Sequence, residues 1–315
     1  MGKADVIPQK RGMSIQKLKR YIPLYLMLLP GIIYFVVNNY LPMAGLALAF
    51  KKVNYAIGFF NSPWIGLDNF TFLFSSNDAF IIFRNTILYN LAFIILGNVL
   101  GVFIAIGLDA IRNKFFQRSS QVIILIPFLL STVIITYIVF AFLSGKNGFM
   151  NMTILPMLGI DPVSWYNDPK YWPFILTMVY LWMTMGYSSI LYYSTLIGID
   201  KSFYEAASID GSGIWSQIIH ITLPSLKPTI IILILLAIGR ICYSDFGLFY
   251  QVPMNSGLLY STTQTVDTFV YRALLNLNDI GRATAGGFLQ SILGFAFVFT
   301  ANAVVSKYDK DSRLF

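Results

Sequence analysis

Two ionisable side chains, Arg240 and Asp245, stand in a largely apolar stretch between Pro228 and Tyr250. A charge held among lipid-solvated side chains is expensive, so such a residue defaults to a functional role: gripping a polar solute, gating its path, or pairing with another helix. On an ideal helix the two would point about 140° apart, so a direct pair requires the helix to unwind between them. Asp109 closes another apolar run. Around the charged pair, Tyr137, Trp182, Tyr187, Tyr192, Tyr193, Tyr243 and Ser244 offer aromatic faces and hydroxyls, the equipment for holding a hydroxyl-rich solute. Aromatic residues at helical spacing also serve as plain bundle packing, and both readings stand. Other chemistry is excluded more simply. One histidine (His220) and one cysteine (Cys242) leave no basis for a metal centre, a disulfide framework or a catalytic triad. There is no H-E-x-x-H and no carboxylate cluster within the apolar runs, and the expectation is a chain that is not an enzyme and holds no metal. Gly145-Lys146 lacks the upstream glycine and following hydroxyl of a phosphate loop, so this chain does not hydrolyse ATP by that route.

The second concentration of polar chemistry is Glu205-Ala206-Ala207-Ser208-Ile209-Asp210-Gly211, running on to Ile221-Thr222-Leu223-Pro224. Ser202 is placed to N-cap a helix, with Glu205 at its third position as in a capping box. Asp210-Gly211 reads as a turn, because glycine enters left-handed backbone angles freely. A second short helix follows through Trp215 and Ile219, and Thr222-Leu223-Pro224 with Pro228 ends it and launches the next apolar run. This element either docks a partner outside the membrane or lies in the headgroups with Trp215 as its anchor.

The elements that carry these residues follow from the composition. Of 315 residues, 57% are hydrophobic and 11% charged, against roughly 25% charged in a soluble domain. A helix needs about 20 apolar residues to cross about 30 Å of hydrocarbon. Six runs qualify: 22–42, 85–108, 120–143, 173–197, 228–250 and 284–306. The predicted fold is therefore all-α, a polytopic membrane bundle of about six transmembrane helices. The net charge of +8 is spread over segment ends rather than gathered in a stripe, which fits membrane topology and not nucleic acid. Lys3, Lys10, Arg11, Lys17, Lys19 and Arg20 precede the first run; Arg112, Lys114 and Arg118 follow the second; Lys307, Lys310 and Arg313 lie in the tail. By the positive-inside rule, the basic segment 1–21, the Glu205 connection and the tail 307–315 are expected in the cytoplasm, flanking a membrane domain over 22–306. The outer loops are structured: Gly66-Leu67-Asp68-Asn69-Phe70 in one, Gly145, Gly148, Pro156, Pro162 and Pro169 within 144–172 in the next, and Ser261-Thr262-Thr263-Gln264-Thr265 in the last.

Glu205-Ala206-Ala207, Asp210-Gly211, and the Ile221-Thr222-Leu223-Pro224 ending with Pro228 resemble the "EAA" loop of permease subunits in bacterial ATP-binding-cassette importers. Gly66-Leu67-Asp68-Asn69-Phe70 and Asn85-Thr86 resemble marks of the maltose-transporter type, and the opening Tyr21-Ile22-Pro23-Leu24-Tyr25-Leu26-Met27-Leu28-Leu29-Pro30-Gly31 resembles the subgroup that handles polysaccharide fragments. The resemblance implies a permease subunit of a binding-protein-dependent sugar importer, most simply for oligosaccharides, in the bacterial inner or plasma membrane. It implies a coupling helix over about 199–228, in which Glu205 makes the charged contact, Ala206 and Ala207 pack closely, Asp210 and Gly211 turn the chain, and Leu223 and Pro224 complete the motif. It implies partners too: a second, homologous permease in a heterodimer, two cytoplasmic ATPases that use ATP and Mg, and an extracellular or periplasmic binding protein, with no cofactor in this chain. Arg240, Tyr243, Asp245, Tyr137, Trp182, Tyr187 and Tyr193 are then the candidate pathway residues, and Trp64, Asn69, Trp165 and Tyr271 candidate contacts for the binding protein. The competing class is an ATP-independent secondary transporter or channel with a merely interfacial helix.

Overall fold

In a lipid phase every backbone polar group must find a partner inside the protein, and helices meet that demand within one segment. The computed structural model, which describes residues 15–75 and 77–308, is accordingly helical throughout. Among the described residues the sole β feature is an isolated bridge between Lys51 and Trp64. Lys3, Lys10, Arg11, Lys310 and Arg313, expected in the cytoplasm from the sequence, lie outside the described residues.

Helix α1 (Ile15–Phe35) continues through a π turn (Val36–Tyr40) and Leu41–Met43 into a 3-10 segment, Ala44–Phe50. The span this makes, Tyr21–Phe50, is longer than the 22–42 expected. It is exposed from Tyr21 to Ala44 and joins the bundle only at its end, where Phe50 meets Phe288 at 5.5 Å and Ala49 is buried. Then come α2 (Asn77–Asp109), α3 (Lys114–Leu129), α4 (Thr132–Leu143), α5 (Trp172–Leu196) and the short α6 (Lys201–Ile209). The chain continues in α7 (Ile214–Ile238), α8 (Phe246–Gln251), α9 (Val266–Leu275) and α10 (Ile280–Tyr308). Five stretches are long and apolar enough to cross a membrane, and a sixth results if α3 and α4 count as one broken span.

Two expected spans are corrected. The run 120–143 is not straight: α3 and α4 meet at 95°. Leu130 turns extended (ψ 141°), and the Ser131 hydroxyl accepts from the Ile134 N–H to start α4 afresh. Pro127, which lacks an N–H, sits in the last turn of α3 and weakens continuation. The run 228–250 is shifted. Its helix begins at Ile214, passes through a π turn (Ile218–Thr222) and stops at Ile238. Pro224 and Pro228 therefore do not separate two helices. The wider π turn precedes Pro224, and the Thr222 and Ser225 hydroxyls bond to the carbonyls of Gln217 (3.5 Å) and Ile221 (2.7 Å).

Without water to drive apolar surfaces together, close approach and hydrogen bonds hold such helices. Phe93 of α2 stacks on Tyr180 of α5, with ring centroids 3.7 Å apart. Where α3 crosses α5, Gly186 meets backbone: a Cβ there would overlap the Ile124 carbonyl. Trp172, Leu176, Ile135 and Leu248 fill a buried cluster among α4, α5 and α8.

The α7–α8 junction interrupts the regular helix packing. From Gly239 to Ser244 the helix is unwound, which frees carbonyls in the middle of an apolar bundle. Three side chains from other elements meet the freed backbone. Asn90 of α2 donates through Nδ2 to the carbonyls of Ile241 (3.0 Å) and Tyr243 (2.7 Å). Gln290 of α10 donates to the Cys242 carbonyl at 2.7 Å. Asp267 of α9 accepts from the Ser244 N–H (2.6 Å), the Ser244 hydroxyl (2.8 Å) and the Gln290 amide (3.1 Å).

These contacts set two expectations for the detergent-solubilised protein, both read by thermal unfolding. Gly186→Ala should lower stability by about 1–3 kcal/mol, since a methyl against backbone forces α3 from α5. Gly107→Ala, with open space at its Cβ, should leave it unchanged. Asn90→Leu, similar in size but without donors, should cost roughly 1–3 kcal/mol for each carbonyl left bare, whereas Asn90→Gln should recover part of the loss.

Candidate functional site

The unwound segment opens one side of a cavity of about 570 Å³. Its walls come from α2 (Asn90, Phe93, Asn98), α5 (Tyr180, Thr184, Tyr187, Ser188, Tyr192) and the Arg240–Phe246 turn. This size suits a small organic solute, and the mixed lining of rings, amides and hydroxyls suits a polar one. Arg240, Tyr243, Ser244, Asp245, Tyr187 and Tyr192 are thus brought together as the sequence suggested. Tyr137, Trp182 and Tyr193 are not. Tyr137 is exposed on α4, Trp182 packs on the Trp172 cluster, and Tyr193 packs against Ala105, Leu196 and Leu226.

The polar groups of the cavity differ in how far they are already committed. Asp245 N-caps α8, its Oδ1 accepting from the Leu248 N–H at 2.9 Å. The Tyr243 hydroxyl pairs with Ser291 at 3.0 Å, and the Tyr192 hydroxyl donates to Asn98. Unwinding does not produce the Arg240–Asp245 pair that it makes geometrically possible. Among the described residues Arg240 has no side-chain hydrogen bond and no ion pair. Sequence reasoning missed Asn90, Asn98, Ser188, Tyr180 and Phe93. An asparagine one or two turns from an aromatic within an apolar run was the available signal.

At the other end of α7 the Glu205 element is a finished piece of architecture. Its N-cap is Asp200 rather than Ser202: the carboxylate accepts from the Ser202 N–H at 2.9 Å. That hydrogen bond holds the Asp200 carboxyl below the usual carboxylate range, since it favours the charged form. A carboxylate also matches the positive end of the helix better than a hydroxyl does. No capping box forms, and Glu205 lies further along α6, exposed. The helix ends as the sequence suggested. Gly211 takes φ +77°, the Ser212 N–H bonds the Ala207 carbonyl (2.8 Å) and the Gly211 N–H bonds that of Ser208 (3.1 Å). This is a Schellman stop, which needs a residue free of left-handed strain. Gln217 then ties α7 back to α6 through the Ser208 hydroxyl (2.9 Å) and the Ser212 carbonyl (3.2 Å). Tyr204 reaches Thr222 at 3.0 Å. Outside this frame stand bare apolar side chains, with Ile209 87% and Trp215 76% exposed beside the exposed Glu205 and Ala206. Leu223 and Pro224 lie further along α7 and are also exposed.

The outer loops carry fewer free groups than expected. Asn69 donates to the carbonyls of Ala49 and Lys51, both at 2.9 Å, and so fastens its own loop. Trp165 bonds Asn151, and Tyr271 packs against Phe246 and Tyr250. Trp64 alone of the four suggested contacts is largely exposed, with the Lys51 ammonium 5.1 Å from its ring centre. Asn85 and Thr86 likewise tie α2 to the last outer loop, through Gln264 and Val266.

Comparison with known proteins agrees with this layout. The chain is 32% identical over 309 residues to the protein LplB of Bacillus subtilis (strain 168), covering 98% of this chain and 96% of that one. It is 30% identical over 307 residues to the polygalacturonan/rhamnogalacturonan transport system permease protein YteP of the same organism, covering 96% and 94%. Its fold is similar to a chain in the crystal structure of a bacterial ABC transporter involved in the import of the acidic polysaccharide alginate. There the TM-score is 0.86 at 30% identity, over 93% of this chain and 98% of that one. A second structure of a bacterial alginate ABC transporter, in complex with an alginate pentasaccharide-bound periplasmic protein, gives 0.85 at 29% identity, over 94% and 98%. Residues 97–310, which include the cavity's α5 wall, the Glu205 helix pair and all of α7, match the family described as binding-protein-dependent transport system inner membrane component. The chain belongs to that family and is a non-catalytic, multi-pass permease subunit of a membrane transport system.

Proposed function

We propose that the chain forms half of the translocation pathway of an ATP-driven importer of oligosaccharides. It takes its energy through the α6–α7 helix pair from an ATPase on the cytoplasmic side. The observation that carries this reading is the rigid, outward-facing helix pair around Glu205. Trp215 and Ile209 are bare there although side-chain bonds from Gln217 to Ser208 and from Tyr204 to Thr222 brace the two helices against each other. A loop that only lay on headgroups would need no such internal bracing, whereas a groove-binding helix needs its aromatic and aliphatic anchors held in register. In this arrangement Ala206 permits close approach, Glu205 supplies the charged contact and Asp210-Gly211 sets the angle between the two helices.

The other partners follow from surfaces left open. The exposed first span and the one-sided cavity support a second, homologous permease completing a heterodimer. The exposed Trp64 supports docking of an external binding protein on the first outer loop. Both termini then lie in the cytoplasm, in line with the basic residues that flank them. The exposed ring of Tyr187 offers a stacking face to a sugar, and relatives named for polygalacturonan/rhamnogalacturonan transport and alginate import support a saccharide cargo.

Glu205→Ala should leave the chain folded and inserted yet reduce ATP-dependent uptake by about 10-fold or more, as expected when a charged interfacial contact is removed. Gly211→Val should do the same by another route, because a branched side chain at positive φ costs about 1–2 kcal/mol. The test is uptake in proteoliposomes together with co-purification of the ATPase. Undiminished uptake in Glu205→Ala, or transport with no ATPase present, would defeat the coupling assignment in favour of a secondary transporter.

A further inference from the structure

The charge of the cargo is the remaining question, and the cavity bears on it. A guanidinium facing a cavity inside a bilayer is tolerated only where something compensates it. The acidic groups near the Arg240 turn are already engaged. Asp245 accepts the Leu248 N–H at the start of α8, and Asp267 accepts three hydrogen bonds from Ser244 and Gln290. Arg240 has no partner of its own among the described residues, although it and Asp245 both act electrostatically on the Tyr180 hydroxyl. The neighbouring amide of Asn90 is also spent, on the carbonyls beneath Arg240. The unwinding at Gly239 lifts Arg240 out of a helix face and sets it at the cavity edge, on a lining that also includes Tyr180 and Phe246.

We propose that Arg240 is a specificity-determining residue that pairs with a carboxylate of the passing sugar, and that the cargo is an acidic, uronate-bearing oligosaccharide. This rests on the importer reading above. A guanidinium offers a planar fork that a carboxylate fits with two parallel hydrogen bonds. The aromatic rings hold the sugar faces while the fork holds the acid. A neutral sugar would leave the guanidinium unpaired along the pathway, so the site discriminates by the cost of an unmet charge as well as by attraction. Asp245 lines the same cavity but is held at the start of α8 by the Leu248 N–H and makes no ion pair with Arg240, which leaves the guanidinium fork open to a carboxylate.

The test uses the full assembly of both permeases, ATPases and binding protein in proteoliposomes. The probes are short oligouronides (oligogalacturonate and alginate trisaccharides) and the same sugars with their carboxyls reduced to hydroxymethyl groups. Because one binding protein serves every variant, differences among variants report on the permease. The wild type should import the acidic forms in preference to the reduced ones. Arg240→Gln should lower import of the acid by about 10- to 100-fold, with ATPase stimulation by the loaded binding protein retained. Arg240→Lys, which keeps the charge but loses the fork, should fall between them. Equal import of the reduced sugars by the wild type, or unchanged import of the acid by Arg240→Gln, overturns the inference and leaves the importer reading standing. An assembly that imports no sugar and shows no stimulated ATPase overturns both.

Discussion

The constraint on which the rest of this structure depends is that no peptide group can go unpaired in the hydrocarbon. α7 breaks that rule at Gly239, and three distant side chains restore it. Asn90, Gln290 and Asp267 come from α2, α10 and α9, so the break is also where much of the bundle is fastened together. Remove the break and these polar residues become liabilities; remove them and the break becomes one. The cavity exists because both are present, and Arg240 faces it because the chain there is not a helix.

The Glu205 element solves the opposite problem. It must remain ordered where water competes for every hydrogen bond, and it is too short to be a stable helix alone. Asp200 closes one end, the Gly211 turn closes the other, and Gln217 and Tyr204 lash the two pieces together. Almost nothing of its apolar side is used for this. Stability is supplied by polar bonds, leaving the large side chains unspent.

Much of this could be read from residues alone, and what could not has a common cause. The apolar runs announced the spans, and Asp210-Gly211 announced its turn, because these are local properties. The bend at Ser131 was hidden because Leu130 and its neighbours are apolar enough to pass as a continuous span, and hydropathy carries no direction. The continuity of α7 through Pro224 was hidden because a proline signals a lost donor but not the π turn that absorbs it. Ser202 was preferred to Asp200 as cap on a motif, whereas the better acceptor lay two residues earlier. Asn69 read as a docking contact, and Asn90 and Gln290 drew no reading at all, because their partners are backbone carbonyls distant in sequence, which no pattern of side chains reveals. Tyr137, Trp182 and Tyr193 shared the chemistry of the cavity residues but not their helix faces.

The uninterrupted course of α7 has a mechanical meaning. Trp215 stands in its first turn and Arg240 directly past its last, and the 25 residues of that stretch span about 37 Å at the helical rise. The π turn and both prolines lie within this one continuous helix. Gly239, where the helix unwinds, is the one irregular step between the end of this rod and Arg240. The exposed helix pair and the cavity are thus the two ends of one element, and a single unwound turn is all that stands between the rod and the guanidinium.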